Sequence, residues 1–149
     1  MSVYYRRDTD TYYTQRKVDN QTIELGINYL SETNDNKSYW NIYITIFNKR
    51  KDMYSNMDKK IITSKNPFHT ALVARDMFYE VEAYVIEQEL MFGKYDTISI
   101  LCTWVDNRRR DAYYAVLSKM GYHWDNYYGE KCIMKTYTKN DINPDLLEV

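Results

Sequence analysis

Residues 97–103 read Thr97-Ile98-Ser99-Ile100-Leu101-Cys102-Thr103, an almost unbroken apolar run. A run this short and this apolar fits a central β-strand covered on both faces; a half-exposed strand would alternate. Its neighbours decide the fold. Upstream, Ala71, Ala74, Phe78, Val81 and Val85 recur at three- and four-residue steps, with Met77 and Tyr84 flanking them, the spacing of one helix face. Asn66 is a good N-cap for that helix and Pro67 suits its first position. The pattern predicts a long helix to about Met91, with Gly93 just beyond its end. A strand, long helix, strand unit implies a parallel, right-handed crossover. Downstream, Asp106 caps a second helix predicted through Met120, with Ala112, Tyr113, Val116, Leu117 and Met120 as its inner stripe. Gly121 ends it, and residues 123–127 and 131–137 read as two strands around Tyr128-Gly129-Glu130.

Ahead of the long helix the period is two. Residues 22–30 alternate loosely. Then Trp40, Ile42, Ile44 and Ile46 share one face and Tyr39, Asn41, Tyr43 and Thr45 the other. Residues 58–63 read as a third strand, and adjacency makes the three an antiparallel meander. The predicted class is α+β, a mixed sheet of about six strands over residues 21–138. Residues 1–20 read as a polar arm rich in Tyr and Arg with room for an edge strand, and residues 139–149 as a polar, acidic tail.

Composition narrows the function classes. A chain of 149 residues suits one domain. No apolar run approaches the roughly 20 residues that a spanning helix needs, and the first ten residues are too polar for a secretory signal. A cytoplasmic location is expected. Cys102 and Cys132 lie inside apolar runs and read as buried free thiols. With two His in all and no paired ligand spacing, a zinc site is not expected. A net charge of −1 gives no global drive toward nucleic acid or acidic membranes. The 17 tyrosines stand out. Tyrosine favours protein interfaces, but AT-rich codon usage would also raise Tyr, Asn, Lys and Ile together.

The element order, with Lys119-Met120-Gly121-Tyr122 closing the second helix and Ile133-Met134-Lys135 in the last strand, resembles the GNAT N-acetyltransferase fold. Asn66-Pro67-Phe68 and the Arg109 to Tyr113 spacing are similar to acetyltransferase-like proteins of tailed bacteriophages. The resemblance spans roughly residues 22–137 and implies acetyl-CoA with its pyrophosphate on the start of the long helix. There the family uses a glycine loop, so that backbone N–H groups approach the phosphates. Ser64 to Ala71 contains no glycine, Pro67 removes a donor and Phe68 is bulky. Lys65, Asn66, His69 and Thr70 are the candidate cofactor contacts under this reading. The family's general acid, a Tyr four residues before the Gly, falls on Leu117. Tyr113 and Tyr114, one turn earlier, and His123 are the substitute catalytic candidates. Glu80, Glu82 and Glu87 lie on the long helix, where a solvated face is the default.

The run Arg108-Arg109-Arg110 opens the second helix, where the helix dipole disfavours cations. It reads either as an anion or partner site, or as local pairing with Asp106 and Asp111. Three functions follow. The first is a non-catalytic or vestigial GNAT-like scaffold that binds a macromolecule, a protein before any other, in an accessory or host-inhibiting role and without cofactor. The second is an acetyl-CoA-dependent N-acetyltransferase with a divergent loop. The third is nucleic-acid binding through Arg6, Arg7 and Arg108 to Arg110, which needs those groups on one face.

Overall fold

The computed structural model describes residues 2–48 and 67–141. The expected strand 58–63, the helix entry 64–66 and residues 142–149 lie outside that set. In chain order the elements are β1 (Tyr4–Arg6), a 3-10 turn (Arg7–Thr9), β2 (Thr11–Val18), β3 (Gln21–Glu32) and β4 (Lys37–Phe47). Then come α1 (Pro67–Val85), which runs on as a π turn (Ile86–Met91), and β5 (Thr97–Cys102). Last are α2 (Asn107–Leu117), tightened to a 3-10 turn over Ser118–Met120, β6 (His123–Tyr127) and β7 (Glu130–Thr138). The fold is α+β, with a mixed seven-stranded sheet in the order β1-β2-β3-β4-β5-β7-β6. β4 and β5 run parallel; β5 with β7, β6 with β7 and β1 with β2 are antiparallel.

Among the described residues the sheet has seven strands, and the stretch expected as an arm forms two of them, β1 and β2. Its alternation is carried by Tyr and Thr, which are at home on a pleated surface but score poorly as apolar. Thr11, Tyr12, Thr14 and Val18 are all buried. Among the described residues the parallel neighbour of β5 is β4, through Lys37↔Thr97 to Asn41↔Leu101, and not the stretch 58–63.

Two compact units divide the chain, Met1–Ile27 with Tyr43–Tyr84, and Asn28–Ile42 with Val85–Val149. In the first, β2 turns into β3 through Asp19 and Asn20, both at positive φ (51° and 65°), the geometry of a two-residue type I′ hairpin. The core stripe of α1 is Met77, Phe78 and Val81, all buried. Ala71 was expected on that stripe but is exposed, and the preceding residue, Thr70, is buried in its place. Ile23, Leu25 and Ile27 are the buried apolar set of β3.

In the second unit, Ile98, Ile100, Leu101 and Cys102 bear out the reading of 97–103 as a central strand: all are buried. Leu101, Cys132 and Met134 cluster, with Tyr39 and Tyr127 packed against them. Of the stripe predicted for α2 only Leu117 is buried, and Ala112 is exposed. The helix is set by its ends. The Asp106 side chain accepts from the Arg109 N–H at 2.8 Å, and Gly121, at φ 91°, supplies the left-handed stop. β6 and β7 are joined by Tyr128 and Gly129, both at positive φ (47° and 84°). Gly suits that conformation; a bulky Tyr does not, and it adopts it here with its ring 76% exposed.

Candidate functional site

The most constrained polar group in the first unit is Glu24, in the middle of β3 and only 3% exposed. An unpaired buried carboxylate would be costly, so its neighbours matter. Its Oε1 accepts from Gln15 Nε2 at 2.7 Å and from Arg6 Nη2 at 3.5 Å; its Oε2 accepts from the Tyr43 hydroxyl at 2.7 Å. The Arg6 guanidinium also lies 4.0 Å from the centre of the Tyr13 ring. Burial works against the charged form of Arg6, but the hydrogen bond and charge of Glu24 outweigh it and the net shift is upward. Burial, and then Glu24, push the Tyr43 hydroxyl well above the ordinary phenol range. Gly26 completes the arrangement: a Cβ there would stand 2.4 Å from the Tyr43 ring. Both oxygens of Glu24 are engaged, so this network holds β1 to β4 side chains in place; it has no free base to offer a substrate. Sequence reasoning passed over it. The signal was a Glu inside the apolar centre of a strand, two residues before a Gly.

The candidate acids fall in the second unit. Tyr113 is half-buried, and desolvation raises its pKa. Tyr114 stacks on Trp124 at 4.4 Å and 11°, Trp104 meets the same indole edge-on at 5.7 Å, and the Lys131 ammonium lies 5.0 Å from it. Leu117, at the acid position that the resemblance implies, is a buried apolar side chain. His123 is exposed on β6, with Nε2 3.5 Å from Asp125 Oδ2.

Within the arginine run, Arg109 and Arg110 have local partners. Arg109 binds the Asp106 carboxylate through its backbone and its guanidinium, and Arg110 Nε donates to Asp111 at 3.0 Å. Arg108 is exposed. Arg6 and Arg7 belong to the first unit and Arg108 to Arg110 to the second, and Arg6 is committed to Glu24.

Lys65 and Asn66 lie outside the described residues. His69 is exposed and Thr70 is buried in the first turn of α1, beside Phe68, whose ring is 77% exposed. Both thiols are buried and free; burial pushes Cys102 up to about 12 and Cys132 to about 11. Among the described residues no three His, Cys, Asp or Glu side chains gather as a metal site, and no helix is long and apolar enough to cross a membrane.

One further surface appears only in the structure. Phe68, Leu72 and Tyr79 recur along α1 at helical spacing, and all three are exposed. The residues between them, Arg75 and Asp76, form an exposed ion pair at 3.5 Å. This stripe lies on the opposite side of the helix from Met77, Phe78 and Val81. The chain matches no protein-family model, and comparisons with curated proteins and with solved structures find no match.

Proposed function

We propose that this chain is a GNAT-like scaffold that acts by binding a protein partner and does not transfer acetyl groups. The observation that carries the binding role is the second apolar stripe of α1, Phe68, Leu72 and Tyr79. A surface helix needs one apolar face for its core; a second, exposed one asks for a partner. Aromatic anchors flanked by a paired Arg75 and Asp76 are the usual make-up of a protein contact.

The scaffold reading is supported by the element order: α1 stands between β4 and β5, which pair in parallel, and α2 leads from β5 to the terminal hairpin. The absence of acetyl transfer is argued from side chains. The bulky Phe68 occupies the first turn of α1, Leu117 is core, and Tyr114 is stacked flat on Trp124. An accessory or host-inhibiting role, in a phage-infected cytoplasm, is the setting that the sequence resemblance implies for such a protein.

Calorimetry with acetyl-CoA tests one half: no saturable heat is expected, and saturable binding with turnover on an amine overturns the reading in favour of an acetyltransferase with a divergent loop. A photo-crosslinking residue at Tyr79, compared with one at Phe92, which is 75% exposed, tests the other half. A discrete adduct from Tyr79 alone, abolished by Phe68→Ser with Leu72→Ser, is expected. Equal labelling at both positions defeats the stripe.

A further inference from the structure

Among the described residues the sheet has two outer strands, β1 and β6. Open edges present unpaired N–H and C=O groups, and proteins usually blunt them with short strands, Lys, Pro or bulges. β1 follows that rule: it is three residues long and runs directly into the 3-10 turn at Arg7. β6 does not. Its register with β7 runs without a bulge from His123↔Met134 to Tyr127↔Glu130, and it carries neither Pro nor Lys. Its first four residues are exposed.

The turn fixes which amides face outward. Tyr127 and Glu130 flank the two-residue loop, so they form a hydrogen-bonded pair, and alternate residues of β6 follow suit. Tyr127, Asp125 and His123 therefore bond to β7, while Trp124 and Asn126 point off the sheet. The Asn126 N–H in fact donates to its neighbour's side chain, Asp125 Oδ1, at 2.7 Å, as a donor turned away from β7 would.

We propose that β6 pairs with β6 of a second copy of this chain, antiparallel about a two-fold axis at Trp124. Side-chain complementarity selects the occupant and the register. With Trp124 on the axis, His123 faces Asp125 of the second copy and Asp125 faces its His123, so each cross-strand pair sets an imidazole opposite a carboxylate. Within one chain the same two side chains already lie 3.5 Å apart. A register one residue on would set Asp125 against Asp125, and like charges directly opposite are unfavourable. In the Trp124 register the outward Trp124 amides and carbonyls bond reciprocally, and Asn126 N–H exchanges Asp125 for the Tyr122 carbonyl. Tyr122 N–H stays on Leu117 O, at 3.0 Å. The interface is isologous and therefore closes as a dimer, joining two seven-stranded sheets into one. It is separate from the α1 stripe and does not rest on it.

Sedimentation and light scattering of the whole chain, at low and high micromolar concentration, test the proposal. Twice the chain mass is expected at the upper end. Asn126→Pro removes an outward N–H while sparing the β6–β7 ladder, so it should stay monomeric at both concentrations and melt as the dilute parent chain does. Asp125→Lys sets Lys against His123 and should weaken the dimer about tenfold, with His123→Asp on the same chain restoring it. A chain that stays monomeric at high concentration overturns the proposal. So does a dimer indifferent to both Asn126→Pro and the charge reversal.

Discussion

The two compact units both bury apolar side chains against their strands, and the first adds a charged network to them. The first places a buried carboxylate, Glu24, at the centre of one face of β3 and surrounds it with Arg6, Gln15 and Tyr43. The second fills its strands with Ile98, Ile100, Leu101, Ile133 and two reduced thiols. An apolar core tolerates loss in proportion to the volume removed, whereas a polar network fails through the partner left behind. The difference predicts how each unit breaks.

Ile133→Ala, at a fully buried site in the second unit, should cost about 4 kcal/mol, read as a lowered urea midpoint with unchanged slope. Glu24→Ala in the first unit should cost about 3 kcal/mol, because it leaves Tyr43 and Gln15 without an acceptor and Arg6 without its charge partner. The sharper contrast is repair. Replacing Glu24 by Leu, Arg6 by Met and Tyr43 by Phe together should recover most of the loss, since no half-buried hydroxyl is then left without an acceptor and the exposed Gln15 can turn to water; no second polar change repairs Ile133→Ala. If the triple replacement is as damaging as Glu24→Ala, the network specifies the fold and is not exchangeable.

Gly26→Ala should cost about 2 kcal/mol by driving a methyl into the Tyr43 ring, and Tyr43→Ser should relieve it. The thiols give the smallest effect near neutral pH. Cys102, held up to about 12 by burial, keeps its proton in the folded state where the unfolded thiol has lost it. Its contribution is therefore complete below the unfolded value of about 9 and is lost as pH rises toward 12. Native protein at pH 8 should leave both cysteines unlabelled by a thiol reagent, and urea should expose both.

The same contrast explains what could be read from the chain alone. The second unit was legible because its signals are local. TISILCT is a central strand by composition, Asp106 is an N-cap by position, and Gly121 is a stop by conformation. The first unit was half-hidden. The alternation of Tyr12, Thr14 and Val18 gives little apolar contrast, so β2 passed for an arm. Glu24 draws its partners from 18 residues upstream and 19 downstream, a distance at which no periodicity speaks. The exposed stripe of Phe68, Leu72 and Tyr79 was missed in another way: spacing sets it across the helix from the core stripe, but only burial shows that all three side chains are left uncovered. For the candidate acids, the family resemblance pointed to Tyr113 and Tyr114, but only the ring stacking on Trp124 shows that Tyr114 is occupied.

Gly26 and Tyr43 are also an evolutionary constraint. The ring lies where any side chain at position 26 would begin, and its hydroxyl is committed to Glu24. Neither residue can drift alone: a larger residue at 26 evicts the ring, and a smaller one at 43 removes a donor from the carboxylate. Descendants of this chain should therefore change positions 24, 26 and 43 as a set, and a sequence that keeps all three carries the same fold of β3 against β4, however far its surface has diverged.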